Sequence, residues 1–251
     1  MKWSIKKSYW QQDIERKEYI AAIAKGSMII VSISYLFYRS LYVNVILLPV
    51  LVMYLKIWNQ QCIKKKQQIF QLQFKDSMQA LSAALSVGYS VENAMKESLK
   101  DLQTLYGKET RIVKEFTYMV HQINMNITSE KVWEEFAKRV GQEDVRNFVT
   151  VFIVAKRAGG DSIAIIHRAV RIICEKIDVK REIETIMSAK KLEFQVMSFI
   201  PFGILGYMRL SFPEFMNILY GNILGIVIMT GSLIAYGGAY LLGRKIVEIE
   251  V

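Results

Sequence analysis

Two long apolar runs flank a middle region in which apolar residues recur with a helical period among charged ones. Residues 26–58 and 194–242 are dominated by apolar side chains, whereas residues 67–192 carry most of the charged ones. In the middle region apolar residues recur every three or four positions, as at Phe70, Phe74, Met78 and Leu81. This spacing is typical of a helix that buries one face. Because residues 67–192 contain neither proline nor runs of alternating polarity, helices are predicted there and strands are not.

The periodicity breaks at residues that favour the ends and beginnings of helices. Glycine adopts the left-handed backbone conformation that often ends a helix, and small hydroxyl or acidic residues cap the next one. A third break, at Gly159, Gly160 and Asp161, has the same character of a turn followed by a cap. The middle region is therefore predicted to be an antiparallel bundle of about six helices, at 67–87, 91–104, 108–125, 129–140, 143–157 and 162–192.

One helix-opening phrase occurs twice in this region. In the first copy Gly88 ends a helix, Ser90 caps the next and Glu92 follows two residues later. In the second copy Thr128 is the cap and Glu130 the acid, after Asn126 in the place of the glycine. No residue with catalytic chemistry lies near either copy, so each is interpreted as a structural joint that stops and restarts a helix.

Each of the two apolar runs is too long for a single bilayer crossing, which needs about 20 residues. The first run carries Arg39 near its middle, which favours a hairpin with spans near 20–38 and 41–58 over one tilted helix. The second run is divided by a short turn at Pro213, with spans near 194–212 and 218–242. About four transmembrane helices are therefore predicted.

Lysine and arginine cluster on one side of all four predicted spans. These residues precede the first and third spans and follow the second and fourth, which places both termini and the bundle in the cytoplasm. The net charge of +10 is then mostly a consequence of membrane orientation rather than of nucleic-acid binding. The predicted all-α membrane protein divides into a basic cytoplasmic tail, a hairpin of two spans, the cytoplasmic bundle, a second hairpin and a cytoplasmic tail, at 1–19, 20–58, 59–192, 193–242 and 243–251.

The chain offers little that could perform catalysis. It has no phosphate-binding loop, nucleophile elbow or metal-binding string, so we expect neither enzymatic activity nor a cofactor or metal. The last span instead contains small residues at spacings that permit close helix packing, within the chain or between chains. These residues are Gly221, Gly225, Gly231, Ala235, Ala239 and Gly243.

In their order along the chain these motifs resemble the F-type platform family of type II secretion systems and type IV pili. The match is best to the single-domain TadB and TadC proteins of tight-adherence (Flp) pilus machines. Residues 88–95 and 128–133 resemble the family's two helix-opening phrases, and residues 156–161 resemble the joint that follows them. Ser198–Pro201 resembles the motif that opens the third span, and Phe212–Phe215 resembles the turn after it.

The resemblance implies a scaffold in the inner membrane rather than an enzyme. Its cytoplasmic bundle would contact a hexameric motor ATPase, whose movement is relayed to pilins, and its other partners would be a sister platform protein, further copies and the bilayer. The resemblance leaves a TadB-like and a TadC-like role open. The residues predicted to meet an acidic surface of the ATPase are Lys156, Arg157, Arg168 and Arg171.

Two other classes of protein remain as alternatives. A membrane-bound signalling or sensor relay could also have a helical cytoplasmic domain, but the outer turns are too short to form a sensor domain. A transporter or membrane enzyme usually has ionisable residues within its spans, and here these are almost confined to the span edges. Both alternatives are therefore less favoured than the platform.

Overall fold

A computed structural model describes residues 9–10, 16–38, 48–158 and 162–247. Over these residues the regular structure is helical and contains no strand, which confirms the predicted all-α class for this part of the chain. The helices are α1 (Arg16–Tyr38), α2 (Leu48–Ser86), α3 (Val91–Tyr106), α4 (Arg111–Asn124), α5 (Ser129–Val140), α6 (Glu143–Ala158), α7 (Ser162–Ser211), α8 (Pro213–Gly221) and α9 (Ile223–Val247).

The chain forms two compact units. Unit 1 comprises Met1–Asp13 and Cys62–Lys180, and unit 2 comprises Ile14–Gln61 and Arg181–Val251. Unit 1 therefore holds α3 to α6 together with the second part of α2 and the first part of α7. The four shorter helices begin and end within a few residues of the predicted positions, because capping and glycine signals mark their ends.

The core of unit 1 is rich in aromatic side chains. Trp133 of α5 is fully buried, and its ring centroid lies 5.1 Å from that of Phe148 and 5.7 Å from that of Phe136. The Phe74 ring of α2 also contacts Phe136 and Phe148, with centroids 6.3 Å and 6.2 Å away. Such tilted and edge-on pairs stabilise a core beyond the area they bury. The periodic apolar positions of the sequence thus account for the faces along which these helices pack.

The two longest helices differ from the prediction. The predicted helix at 67–87 begins too late, because α2 starts at Leu48, and the predicted helix at 162–192 ends too early, because α7 ends at Ser211. Residues 56–66 contain neither glycine nor proline, and their lysines and glutamines favour helix, so the change from apolar to polar sequence does not interrupt α2. Pro201, expected to open a new span, lies inside α7.

In unit 2 the helices form two antiparallel pairs. Tyr19 of α1 packs edge-on against Trp58 of α2 at 5.5 Å, whereas Gly26, two turns later, faces Leu51 and Tyr54. A Cβ atom at Gly26 would lie 2.8 Å from Leu51 Cδ1, so this glycine permits a close approach of the two helices. Residues further along α1 contact residues that come earlier in α2, so the two helices run antiparallel.

The second pair in unit 2 is formed by α7 and α9. The rings of Phe194 and Tyr240 stack at 5.5 Å, and the Tyr236 hydroxyl donates a hydrogen bond to the Ser198 carbonyl at 2.7 Å. Phe202, further along α7, packs edge-on against the same Tyr236 at 5.2 Å. The order of these contacts again runs in opposite directions along the two helices.

Side chains from α7 and α8 complete the C-terminal end of α1. The last carbonyl groups of a helix have no partner within it, and at this end Arg209 donates to the Tyr35 carbonyl and Tyr220 to the Leu36 carbonyl. The Arg209 guanidinium also lies 3.8 Å from the centroid of the Tyr35 ring. A cation at a helix C-terminus is favourable, so Arg209 has a structural partner at the end of α1.

Two helices in the described part of the chain are long and apolar enough to cross a membrane, Lys17–Tyr38 and Ile223–Val247. Only 28% and 11% of their apolar windows are buried, whereas a core helix of a soluble protein would be mostly buried. The predicted second span begins at residues that lie outside the described ones. The helix that corresponds to the predicted fourth span, at 218–242, begins only at Ile223. Asn222 has extended backbone angles (φ −122°, ψ 141°) that separate α8 from α9.

Candidate functional site

Both copies of the repeated phrase meet at one lysine. The Lys156 ammonium lies 2.9 Å from a carboxylate oxygen of Glu92 and 3.7 Å from one of Glu130. It also hydrogen-bonds the Ser129 hydroxyl. We call these four residues, Glu92, Ser129, Glu130 and Lys156, the Lys156 joint. The joint links three helices of unit 1, α3, α5 and α6, and neither copy of the phrase predicts this by itself.

Each charge of the joint also suits the helix that carries it. Glu92 and Glu130 lie in the first turns of α3 and α5, and Lys156 lies in the last turn of α6. Acidic groups are favoured at the positive N-terminus of the helix dipole and basic groups at its negative C-terminus. The joint therefore brings two helix N-termini and one helix C-terminus together with complementary charges.

The residues that precede each copy have the same backbone form. Gly88 and Asn126 both have left-handed angles, with φ of +96° and +60°. In both places the amide of the following residue donates to the carbonyl five residues earlier, at 3.3 Å after Gly88 and 3.1 Å after Asn126. This is the Schellman form of helix ending. Asparagine is one of the few residues other than glycine that enter this conformation readily, which accounts for Asn126.

The two caps are not equivalent. Ser90 accepts a hydrogen bond from the Asn93 amide at 3.3 Å, as an N-cap does. Thr128 occupies the N-cap position of α5, but its hydroxyl makes no capping hydrogen bond. The next residue, Ser129, is buried and contacts Lys156. The second copy thus contributes a serine to the joint where the first copy contributes a conventional cap.

The surroundings of Glu92 in the joint lower the pKa of its carboxyl. Partial burial by itself raises the pKa of Glu92. The hydrogen bond from Lys156, a backbone hydrogen bond, the positive charge of Lys156 and a hydrogen bond from Ser129, in decreasing order, nevertheless bring it below its ordinary value of 4.5. The carboxylate is therefore ionised at neutral pH and stabilises the ammonium that it contacts. Its side chain is 40% exposed, so water screens part of this attraction.

The other predicted cations lie on the surface of unit 1. Arg157, Arg168 and Arg171 are exposed, whereas Lys156 is engaged in the joint. Arg168 and Arg171 line an open groove between α2 and α7. In this groove His167 contacts the hydroxyl of Ser82 through Nδ1 and that of Ser86 through Nε2, the latter at 3.2 Å. The two arginines outnumber the one acidic residue of the lining, Glu175, so the groove can accept an anionic group.

Comparison with known proteins identifies the family. The family model described as "Type II secretion system (T2SS), protein F" matches residues 77–209, more than half of the 251 residues. The chain belongs to this family. No curated protein and no solved structure matches it. Members of the protein F family are membrane-associated structural platform proteins of secretion or type IV pilus-type machines, and not enzymes.

The segment shared with the protein F family contains the whole Lys156 joint and the helix ends at Gly88 and Asn126. It also includes Arg157, Arg168 and Arg171. Gly159, Gly160 and Asp161, predicted to form the third break, lie outside the described residues. Among the residues that the structure describes, no group of three or more histidine, cysteine or acidic side chains is arranged to hold a metal ion.

The small residues predicted for transmembrane packing fall into different environments. Gly221 ends α8 and Gly225 lies in α9, so these two do not form one helical face. Gly225 is buried against the backbone of Leu219, and a Cβ atom at Gly243 would lie 2.5 Å from the Phe194 ring. The remaining three are exposed on α9, namely Gly231, Ala235 and Ala239.

An aromatic pair near the N-terminus is part of unit 1 although the sequence reasoning assigned it only to a basic tail. Trp10 is buried in the core of unit 1 and contacts Phe70, and the Tyr9 hydroxyl reaches Glu115. Tyr9 and Trp10 lie outside the segment matched to the protein F family. The available signal was two adjacent aromatic residues in an otherwise polar segment, but their partners lie too far along the chain to be inferred.

Proposed function

We propose that this chain is an inner-membrane platform protein of the TadB/TadC kind in a type II secretion or Flp pilus machine. It couples a cytoplasmic motor ATPase to the polymerisation of pilins or pseudopilins. The match of residues 77–209 to the protein F family carries this proposal. The Lys156 joint agrees with it, because a scaffold that transmits force needs fixed angles between helices rather than catalytic side chains.

The burial of Trp10 supports a cytoplasmic N-terminus. Trp10 is 6% exposed and belongs to the same hydrophobic core as Phe70 and Phe116. Residues that share one core must lie on the same side of a membrane, so the chain between Trp10 and Cys62 crosses an even number of times. The apolar helix α1 then requires a return crossing, which we assign to the segment that ends with the first part of α2.

The second pair of crossings is supported by unit 2. The contacts of α7 with α9 are those of an antiparallel hairpin, and its apolar side chains are exposed, as at Phe199 with 73%. An apolar surface of this kind needs to be covered by lipid or protein. Basic residues lie at both ends of this hairpin that would face the cytoplasm, namely Lys190, Lys191, Arg244 and Lys245.

We place the ATPase contact on the exposed arginines of unit 1. Lys156 has two carboxylates beside it, so little of its charge remains to attract a partner. Arg157, Arg168 and Arg171 are exposed and their positive charge complements an acidic surface, which favours rapid and specific association. A partner that carries carboxylates opposite the groove would be held most firmly by Arg168 and Arg171.

A crosslinking pull-down with a tagged full-length chain in native membranes tests this proposal. Recovery of a secretion-type ATPase together with pilin or a sister platform protein is the expected result. The double substitution Arg168→Glu and Arg171→Glu should reduce recovery of the ATPase at least several-fold, whereas Lys131→Glu, also exposed on unit 1, should leave it unchanged. Equal recovery of the ATPase with the double variant would contradict the proposed contact at Arg168 and Arg171. Recovery of no machine component with a well-expressed chain would contradict the proposed function.

A further inference from the structure

The aromatic pair Tyr9–Trp10 is seated on unit 1 by apolar contacts. The Trp10 ring packs edge-on against Phe70 of α2 with centroids 5.3 Å apart, and the Tyr9 ring lies perpendicular to it at 4.9 Å. Only 6% of Trp10 is exposed. A buried tryptophan removes a large apolar surface from water, so this contact stabilises the folded unit and is not an incidental surface contact.

Tyr9 also makes polar contacts with unit 1, through hydrogen bonds with defined donors and acceptors. The Tyr9 hydroxyl donates to one Glu115 carboxylate oxygen at 2.8 Å, while the Arg111 guanidinium donates to the Tyr9 carbonyl at 2.7 Å. The centre of that guanidinium lies 4.0 Å from the Tyr9 ring centroid, a cation–π distance. The second Glu115 oxygen accepts two hydrogen bonds from Arg139, at 3.0 Å and 3.1 Å.

The hydrogen bond to Glu115 requires a tyrosine hydroxyl at this position, so the contact of Tyr9 and Trp10 is specific and not only hydrophobic. The Glu115 side chain is 13% exposed, and a carboxylate at that depth is costly to leave with an unfilled oxygen. Burial and the adjacent Glu115 charge raise the pKa of the Tyr9 phenol, which keeps it protonated as a hydrogen-bond donor. An aromatic residue without a hydroxyl could fill the space but would leave that oxygen without its partner.

We propose that Phe70, Arg111 and Glu115 form a peptide-binding site on unit 1 for a Tyr–Trp segment, and that Tyr9–Trp10 of the same chain occupies it as an intramolecular ligand. The ligand class is a short peptide with a phenol that donates to a buried carboxylate and an adjacent indole that enters the core. Tyr9 and Trp10, which precede α1 in the chain, are thereby fastened to unit 1. The inference is independent of the ATPase contact, which lies on other residues.

Amide hydrogen exchange on the full-length chain in detergent tests whether the pair is held in this site. In the variant Tyr9→Ala/Trp10→Ala, amides of residues 111–119 should exchange at least tenfold faster than in the wild type. Tyr89→Ala, which removes an exposed tyrosine from the same unit, is the matched control and should leave these rates unchanged. Tyr9→Phe should give an intermediate increase, because it loses only the bond to Glu115. Unchanged exchange in the double variant would overturn the proposal.

A peptide of residues 1–15 tests whether the site binds its ligand in trans. Added to the double variant, the wild-type peptide should restore the slow exchange of residues 111–119, and the peptide with both alanines should not. Failure of the wild-type peptide to restore protection, or equal protection by both peptides, would overturn the assignment as a binding site. Protection of the wild-type chain that falls on dilution would contradict occupation by the same chain and indicate exchange of the segment between copies.

Discussion

At the scale of the residue, the backbone at Gly88 and Asn126 determines where two helices end. The left-handed angles at both positions are local properties, and the sequence predicts the first from a glycine placed before a hydroxyl cap. Asn126 is predicted as a helix end from the same phrase, although asparagine replaces glycine there. Local signals of this kind act within four or five residues, which is why these helix ends could be located from sequence.

The substitution Gly88→Ala should destabilise the chain by about 1 kcal/mol, because a left-handed angle costs an L-residue about that much. No atom lies within 4 Å of the Cβ position at Gly88, so the cost is one of backbone strain and not of a clash. The measurement is urea unfolding in detergent followed by tryptophan fluorescence. Asn126→Gly is the matched control and should not destabilise; an unchanged midpoint for Gly88→Ala would contradict this explanation.

The lowered pKa of Glu92 makes the stability of unit 1 depend on acid. A carboxyl whose pKa is lower in the folded chain stabilises that chain above its unfolded pKa, and this contribution disappears as pH falls through the folded value. For Glu92 the contribution is present above about pH 4.5 and is lost below it. The variant Glu92→Gln should therefore lose less stability on acidification below pH 4.5 than the wild type, as measured by thermal unfolding across pH. If the melting temperatures of the wild type and of Glu92→Gln fell equally below pH 4.5, this role of Glu92 would be contradicted.

At the scale of the element, the Lys156 joint fixes α3, α5 and α6 to one another. The sequence predicts each helix and each acidic first turn, but not that they converge. Glu92 and Lys156 are 64 residues apart, and no local pattern encodes a pairing over that distance. The continuity of α2 and α7 is not predicted for a different reason: hydropathy changes part-way along each of these helices, whereas a helix ends only where its backbone is interrupted.

A double-mutant cycle with Glu92→Gln and Lys156→Met measures the strength of the joint. We expect a coupling free energy of about 0.5–1 kcal/mol, since both groups are only partly buried. Lys156→Met alone should cost more than Glu92→Gln alone, because the lysine also contacts Glu130.

The exposed pair Glu134–Lys138 within α5 is the control for this cycle. Its members lie four residues apart and their side chains are 54% and 71% exposed, so water screens the pair and a smaller coupling than that of Glu92 and Lys156 is expected. The same urea unfolding measurement serves both cycles. A coupling at Glu92 and Lys156 no larger than that of Glu134 and Lys138 would show that the joint contributes only as an ordinary surface ion pair.

At the scale of the whole molecule, the proposed topology has two pairs of crossings with unit 1 in the cytoplasm. It predicts that a membrane-impermeant maleimide added to intact cells labels a cysteine at Ser211 but not one at Lys138. Lys138 is exposed on unit 1 and Ser211 is the exposed last residue of α7. The measurement uses a chain in which the native cysteines, Cys62 and Cys174, are replaced by serine and alanine.

Disruption of the cells before labelling provides the control, because both positions should then react. Labelling of the Lys138 position in intact cells would invert the orientation, and failure to label Ser211 in intact cells while it reacts after disruption would remove the second pair of crossings. Neither outcome would affect membership of the protein F family, which the sequence match establishes.

The sharing of one lysine by two glutamates restricts how this protein can change over generations. A simple ion pair can be inverted by exchanging its two residues, but inverting Lys156 and Glu92 would leave the new acidic residue at 156 facing Glu130. We therefore expect Lys156→Glu to be rescued poorly by Glu92→Lys and better by Glu92→Lys together with Glu130→Lys. Even the triple exchange would place lysines at two helix N-termini, where the helix dipole disfavours them. The present polarity of the three charges is thus separated from the inverted arrangement by several destabilised intermediates.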